Sequence, residues 1–169
     1  MKKQKRSQAE RTAIYGVLVA LAFIFSYIET LIPISIGVPG VKLGLANLVV
    51  LAALYLMQPA DAFIISVVRI LLVGFTFSNL SAMLYSLAGG MLSFFLMAVC
   101  KRKDWFGITG VSIVGGVSHN IGQLLMAAVV LENHAVFFYL PVLLLAGAVT
   151  GSVMGLLGGA VWKRISKIW

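Results

Sequence analysis

Charge is scarce in this chain: 11% of its 169 residues are Asp, Glu, Lys or Arg, and only five are acidic. A soluble domain carries about 25% charged residues. With 61% AVILMFWYC, 17 glycines and a mean hydropathy of +1.05, the chain is wetted by lipid rather than water, which excludes an ordinary soluble enzyme. Cysteine is nearly missing. Cys100 stands alone, so no internal disulfide exists and no Cys or His spacing resembles a metal site. No Gly-x4-Gly-Lys-Ser/Thr occurs, which excludes ATP binding through a P-loop. The two aspartates, Asp61 and Asp104, lie far apart and form no cluster for the magnesium ions that diphosphate chemistry requires. Nor is there a nucleophile with an oriented base. Ser118 adjoins His119 in sequence, and adjacent helical residues do not face one another. No catalytic residue, metal or cofactor is assigned, and what remains is binding.

What is abundant is apolar runs. Proline, glycine-rich turns and charges punctuate six of them, about 12–32, 42–57, 61–77, 80–100, 107–131 and 136–161. A span needs about 20 helical residues to cross a ~30 Å hydrocarbon core. The expectation is therefore an all-α polytopic membrane protein, a compact bundle of six transmembrane helices. It divides into a basic tail at 1–11, a single transmembrane domain at 12–162 and a basic end at 163–169. Pro33, Gly37, Pro39 and Gly40 suit a turn or extended loop after the first span. No internal repeat is visible, so the inverted-repeat signature of many secondary transporters is missing.

A net charge of +8 would suggest nucleic acid in a soluble chain. Here the basic residues sit at the ends of apolar runs, where lipid and topology explain them and nucleic acid is not a partner. Six spans with an internal N-terminus place 11 of the 13 Lys and Arg on one side, in clusters at the start, at Lys101–Lys103 and at the end. That bias puts both termini in the cytoplasm. The opening basic residues before an apolar run mimic a signal peptide, but the run from Ala13 to Ile32 lacks a polar region with a small-residue cleavage site and reads as a retained first helix.

Polar residues inside spans require a reason, because each costs energy in lipid. In span five Ser112, Gly116, His119 and Gln123 recur on one helical stripe, with Asn120 beside it. Ser66, Arg69 and Thr76 are similarly related in span three, and Ser86, Gly90, Ser93 and Met97 in span four. At ~1.5 Å per residue, Glu29, Lys42, Asn47, Thr76 and Gln123 fall in the outer half. His119 and Asn120 lie near the middle, and Arg69 lies about 10 Å from the inner surface. A substrate pocket open to the outside is expected at Glu29, Lys42, Asn47, Arg69, His119, Asn120 and Gln123. Each has a plainer alternative: helix-joining hydrogen bonds for His119, Asn120 and Gln123, snorkelling for Arg69, and a surface pair for Glu29 with Lys42.

Glycines make a second pattern. Gly147, Gly151, Gly155 and Gly159 recur every fourth residue along span six, a face for close helix packing. Span one carries a shorter version, Gly16-Val-Leu-Val-Ala20, which serves either internal packing or the docking of a partner.

The segments Pro39-Gly-Val-Lys-Leu-Gly-Leu-Ala-Asn47, Ser86-Leu-Ala-Gly-Gly-Met-Leu-Ser93 and Ser118-His-Asn-Ile-Gly-Gln123 resemble the Gx transporter family of small bacterial membrane proteins. That family is also labelled heptaprenyl diphosphate synthase component I, and it is similar to the S components of energy-coupling factor (ECF) transporters. The likeness to S components rests on size, six spans, internal termini and the small-residue pattern of span one, where Gly16 stands in place of the usual Ala. The resemblance implies a multi-pass protein of the bacterial cytoplasmic membrane that captures a small vitamin-like solute. Uptake would require a transmembrane coupling subunit and two ATPase subunits, with Gly16 and Ala20 at the docking face. The alternative implied by the second label is a non-catalytic membrane subunit of a polyprenyl diphosphate synthase.

Overall fold

The computed structural model describes residues 7–31 and 44–165. Among these residues there are six α-helices and no strand: α1 (Gln8–Leu31), α2 (Leu45–Leu56), α3 (Pro59–Phe77), α4 (Leu80–Arg102), α5 (Ile108–Leu131) and α6 (Leu140–Ile165). A 3-10 turn at His134–Tyr139 leads into α6. Five helices are long and apolar enough to cross a membrane, the turn and α6 counting together as one. The exception is α2, whose 12 residues span about 18 Å.

Local chemistry sets most helix ends. Ser7 and Glu10 form a reciprocal capping box: the Glu10 N–H donates to Ser7 Oγ at 3.1 Å, and the Ser7 N–H donates to Glu10 Oε2 at 2.9 Å. The first helix therefore starts at Gln8, inside the stretch expected to be a free tail. At α3, Pro59 occupies the first turn, where its missing N–H costs nothing. At α4, Asn79 Oδ1 accepts the Ala82 N–H at 2.8 Å. The sixth helix starts at Leu140, later than the expected 136, because the residues before it adopt the tighter 3-10 form. Gly44, at φ 79°, turns the chain into α2 in the left-handed region that glycine tolerates.

Cross-helix contacts show an up-and-down bundle. Arg11 near the start of α1 pairs with Asp61 near the start of α3 at 3.3 Å. Lys101 near the end of α4 donates to the Leu54 carbonyl near the end of α2 and sits over the Tyr55 ring, 4.9 Å from its centroid. Tyr55 in turn meets Trp162 near the end of α6, with ring centroids 5.8 Å apart. The basic residues Arg11, Lys101, Arg102, Lys163 and Arg164 thus gather at one end of the bundle.

The two sides of the bundle pack differently. Between α2, α3, α4 and α5 the core is aliphatic and aromatic, with Leu51, Leu54, Ile65, Phe94 and Val111 buried. Around α5 the contacts run through glycine instead. A Cβ at Gly151 would lie 2.8 Å from Ile113 Cα, one at Gly155 2.6 Å from Thr109 Cα, and one at Gly147 2.8 Å from the Gly116 carbonyl oxygen. On the other face of α5, a Cβ at Gly122 would lie 2.8 Å from Gly89 Cα. Backbone meets backbone on both faces, so dispersion is gained where side chains would force the helices apart. Gly159 departs from the expected stripe. A Cβ there would touch nothing within 4 Å, whereas one at Gly158 would lie 2.8 Å from Leu51. With 3.6 residues per turn, a strict step of four drifts off the interface, and the buried row ends in a step of three.

Candidate solute-binding site

The glycine-packed slab of α4, α5 and α6 and the bulkier α1, α2 and α3 enclose a polar cavity of about 620 Å³, part of it open. It lies in the half of the bundle away from the basic end. Each helix contributes. The fifth brings Gly116, His119, Asn120 and Gln123, whose spacing puts them on the same side. Arg69 enters from α3, Asn47 from α2, Ser86 from α4, Thr150 from α6, and Ser26 and Glu29 from α1. Six of the seven residues expected to line a pocket are brought together. The seventh, Lys42, lies outside the described residues.

These side chains do different work. Glu29 accepts the Leu45 N–H at 2.7 Å through Oε1. Gly44 offers α2 no side-chain cap, so a carboxylate from α1 satisfies the first turn and places a negative charge at the positive end of the helix dipole. Asn120 donates from Nδ2 to the Leu143 carbonyl at 2.7 Å, which ties α5 to α6 in the helix-joining manner. Gln123 and His119 pack across Gly89 of α4, where a Cβ would lie 2.8 Å from Gln123 Cγ and 3.2 Å from His119 Cε1. The absence of a side chain at Gly89 makes the room these two residues occupy.

Arg69 does not snorkel. It is 8% exposed, and its Nη1 donates to Ser26 Oγ at 3.3 Å, while Ser26 itself donates to the Ala22 carbonyl at 2.9 Å. Its Nε is buried with no hydrogen-bond partner. Glu29 is near enough for its charge to act on the guanidinium. A cation held at this depth, with one donor unspent, is an expensive arrangement unless the cavity it faces supplies an acceptor.

Thr76, placed in the outer half with these residues by its depth, is exposed and donates to the Leu72 carbonyl at 2.6 Å, outside the cavity. Ser26, Ser86 and Thr150 line it without having been singled out as site residues. The signal for Thr150 was its step of three from Gly147, which sets it on the edge of the glycine face. A smaller space of about 290 Å³ adjoins the cavity and shares Gly44, Asn47, Gly116 and Thr150 with it. Gly16 and Ala20 sit elsewhere, on an exposed face of α1, and a Cβ at Gly16 would meet nothing within 4 Å.

The chain is thus a helical bundle of membrane character around a polar cavity. A family model described as heptaprenyl diphosphate synthase component I matches residues 18–161. The chain belongs to that family. The match takes in α2 to α5 whole, most of α1 and α6, and every cavity residue, and it begins just after Gly16. No curated protein and no solved structure matches the chain. Within the heptaprenyl diphosphate synthase component I family, then, this member carries its buried arginine, its Glu29 carboxylate and the amides of Asn47, Asn120 and Gln123 on the walls of one cavity.

Proposed function

We propose that this protein is the substrate-binding membrane subunit of an ECF-type transporter, a non-enzymatic subunit that captures a small solute from outside for uptake powered by a separate coupling subunit and two ATPases. The observation that carries the reading is the cavity itself, where Asn47, Arg69, His119 and Gln123 line one concave space, the few convergent polar groups by which small-molecule sites orient a ligand. In this reading α2 completes a six-helix membrane domain and the basic end faces the cytoplasm, in accord with the positive-inside bias. The location is the bacterial cytoplasmic membrane. Gly16 and Ala20 form the docking face for the coupling subunit, since α1 presents them outward and none of the described helices covers them.

The family description favours a second reading, a non-catalytic membrane partner of a polyprenyl diphosphate synthase. Affinity purification from mild detergent separates the two. Recovery of a transmembrane coupling subunit with ATPases supports transport, and recovery of a soluble prenyl synthase in their place refutes it.

A further inference from the structure

The guanidinium of Arg69 is planar, and one edge is already committed through Nη1 to Ser26. Its Nε is buried and lacks a hydrogen-bond partner, and the residue lines the cavity. A planar group with two oxygens, one of them negative, is the complement of such an edge, because parallel charge-assisted hydrogen bonds satisfy it in one step.

The charge balance narrows the class further. Among the described residues the cavity lining carries one arginine, Arg69, and one carboxylate, Glu29, with His119 beside them. Glu29 is engaged at the N-terminus of α2, where its charge is held by the helix. A ligand with a single negative charge can therefore be matched by the guanidinium. A diphosphate would bring further negative charges into the same low-dielectric space beside Glu29, and among the described residues no second Lys or Arg lines the cavity to meet them. Around the anion, the amides of Asn47 and Gln123 and the hydroxyls of Ser86 and Thr150 supply donors and acceptors for an uncharged polar body.

Resting on the solute-capture reading above, we infer that the ligand is a monocarboxylate anchored by its carboxylate on the Nε edge of Arg69. Neither a diphosphate nor a neutral compound fills that role.

The test uses the full chain in phosphatidylcholine nanodiscs with 15N-labelled arginine. The sequence has five arginines, and Arg69→Lys identifies the Nε–H signal of Arg69 by its loss. Acetate, acetamide and pyrophosphate are the probes, titrated on the unmutated chain. The expected result is a saturable shift of that signal with acetate, with acetamide and pyrophosphate weaker by about tenfold or more. A signal unmoved by acetate, or moved preferentially by pyrophosphate, overturns the inference. So does a shift produced by adding phosphatidylglycerol to the nanodisc alone, which would assign the anion to a lipid headgroup. Mass spectrometry of molecules released from the purified protein keeps the two levels apart. A neutral compound retained equally by the unmutated chain and by Arg69→Gln overturns the carboxylate anchor and leaves solute capture standing. Acetate binding in a protein that brings down only a prenyl synthase leaves the anion site standing and removes solute capture.

Discussion

Adding one methyl group at Gly151 and at Gly159 should move stability in opposite directions. Both glycines lie in the interior of α6 with ordinary helical backbone, so alanine gains roughly 0.5–1 kcal/mol at either from reduced chain entropy. At Gly159 nothing lies within 4 Å of the new Cβ, and the gain is uncompensated. At Gly151 the Cβ would sit 2.8 Å from Ile113 Cα, 2.8 Å from the Ser112 carbonyl oxygen and 3.2 Å from Ile113 N. All three are backbone atoms that cannot rotate aside, so α5 and α6 must separate. Overpacking of this kind costs roughly 1–3 kcal/mol. Gly151→Ala should then be less stable by on the order of 1 kcal/mol, and Gly159→Ala more stable by somewhat less. Cys100, the one cysteine, is 5% exposed, so a thiol-reactive dye reports heating-induced opening without any engineered probe. The reasoning fails if Gly151→Ala opens at or above the temperature of the unmutated protein, or if Gly159→Ala falls as far as Gly151→Ala.

Other consequences follow from particular contacts. Asn47→Ala, His119→Ala and Gln123→Ala should each weaken binding of the co-purified solute by about 1–3 kcal/mol, roughly tenfold or more by calorimetry, and unchanged affinity in all three would remove the cavity as a binding site. Asn120→Ala should instead lower stability by about 0.6 kcal/mol in the dye assay, because its amide is spent on Leu143. Glu29→Ala, which strands the Leu45 N–H, should destabilise by about 1–3 kcal/mol, and Glu29→Gln, which keeps an acceptor, by about 0.3–1 kcal/mol; equal losses would contradict the capping role. Gly16→Leu should abolish ATP-driven uptake and spare solute binding by the isolated protein, and loss of both would show that α1 packs internally. A cysteine at Asn133 in a Cys100→Ser background should react with impermeant reagent outside whole cells and one at Lys103 should not, and labelling at Lys103 would reverse the orientation.

Much of the cavity is legible from spacing because its largest wall is a single helix. Gly116, His119 and Gln123 follow the helical period, and any close-packed neighbour on that side must meet them together. What the pattern does not reveal is which polar group is already spent. Asn120 and Gln123 are both amides on the same helix, yet one is directed to the Leu143 carbonyl and the other across Gly89. That difference depends on partners 23 and 34 residues away along the chain. The capping of α2 by Glu29 was hidden for a similar reason, since a helix led by Gly44 has no cap of its own and borrows one from α1. By contrast, the Ser7–Glu10 box is local. Its Ser-x-x-Glu spacing marks the start of α1 directly, while the density of basic residues before it draws attention to a tail.

The packing also sets which wall of the cavity is stiff. Backbone contacts through Gly89, Gly116, Gly122, Gly147 and Gly151 leave α4, α5 and α6 no side-chain rotamers by which to shift, so His119 and Gln123 are held on a rigid slab. Opposite them, α1 buries few residues along its length, and polar bonds at the cavity, Arg69 to Ser26 and Leu45 to Glu29 among them, tie it to its neighbours. An acceptor arriving at the Nε edge of Arg69 adjoins the guanidinium that also holds Ser26, and a change in one hydrogen bond there is felt by α1 before it is felt by α5. In the proposed solute-capture reading, the helix that meets the cavity through Ser26 and Glu29 is also the one that carries Gly16 and Ala20 on its outer face, so occupancy and docking would share a single mechanical element.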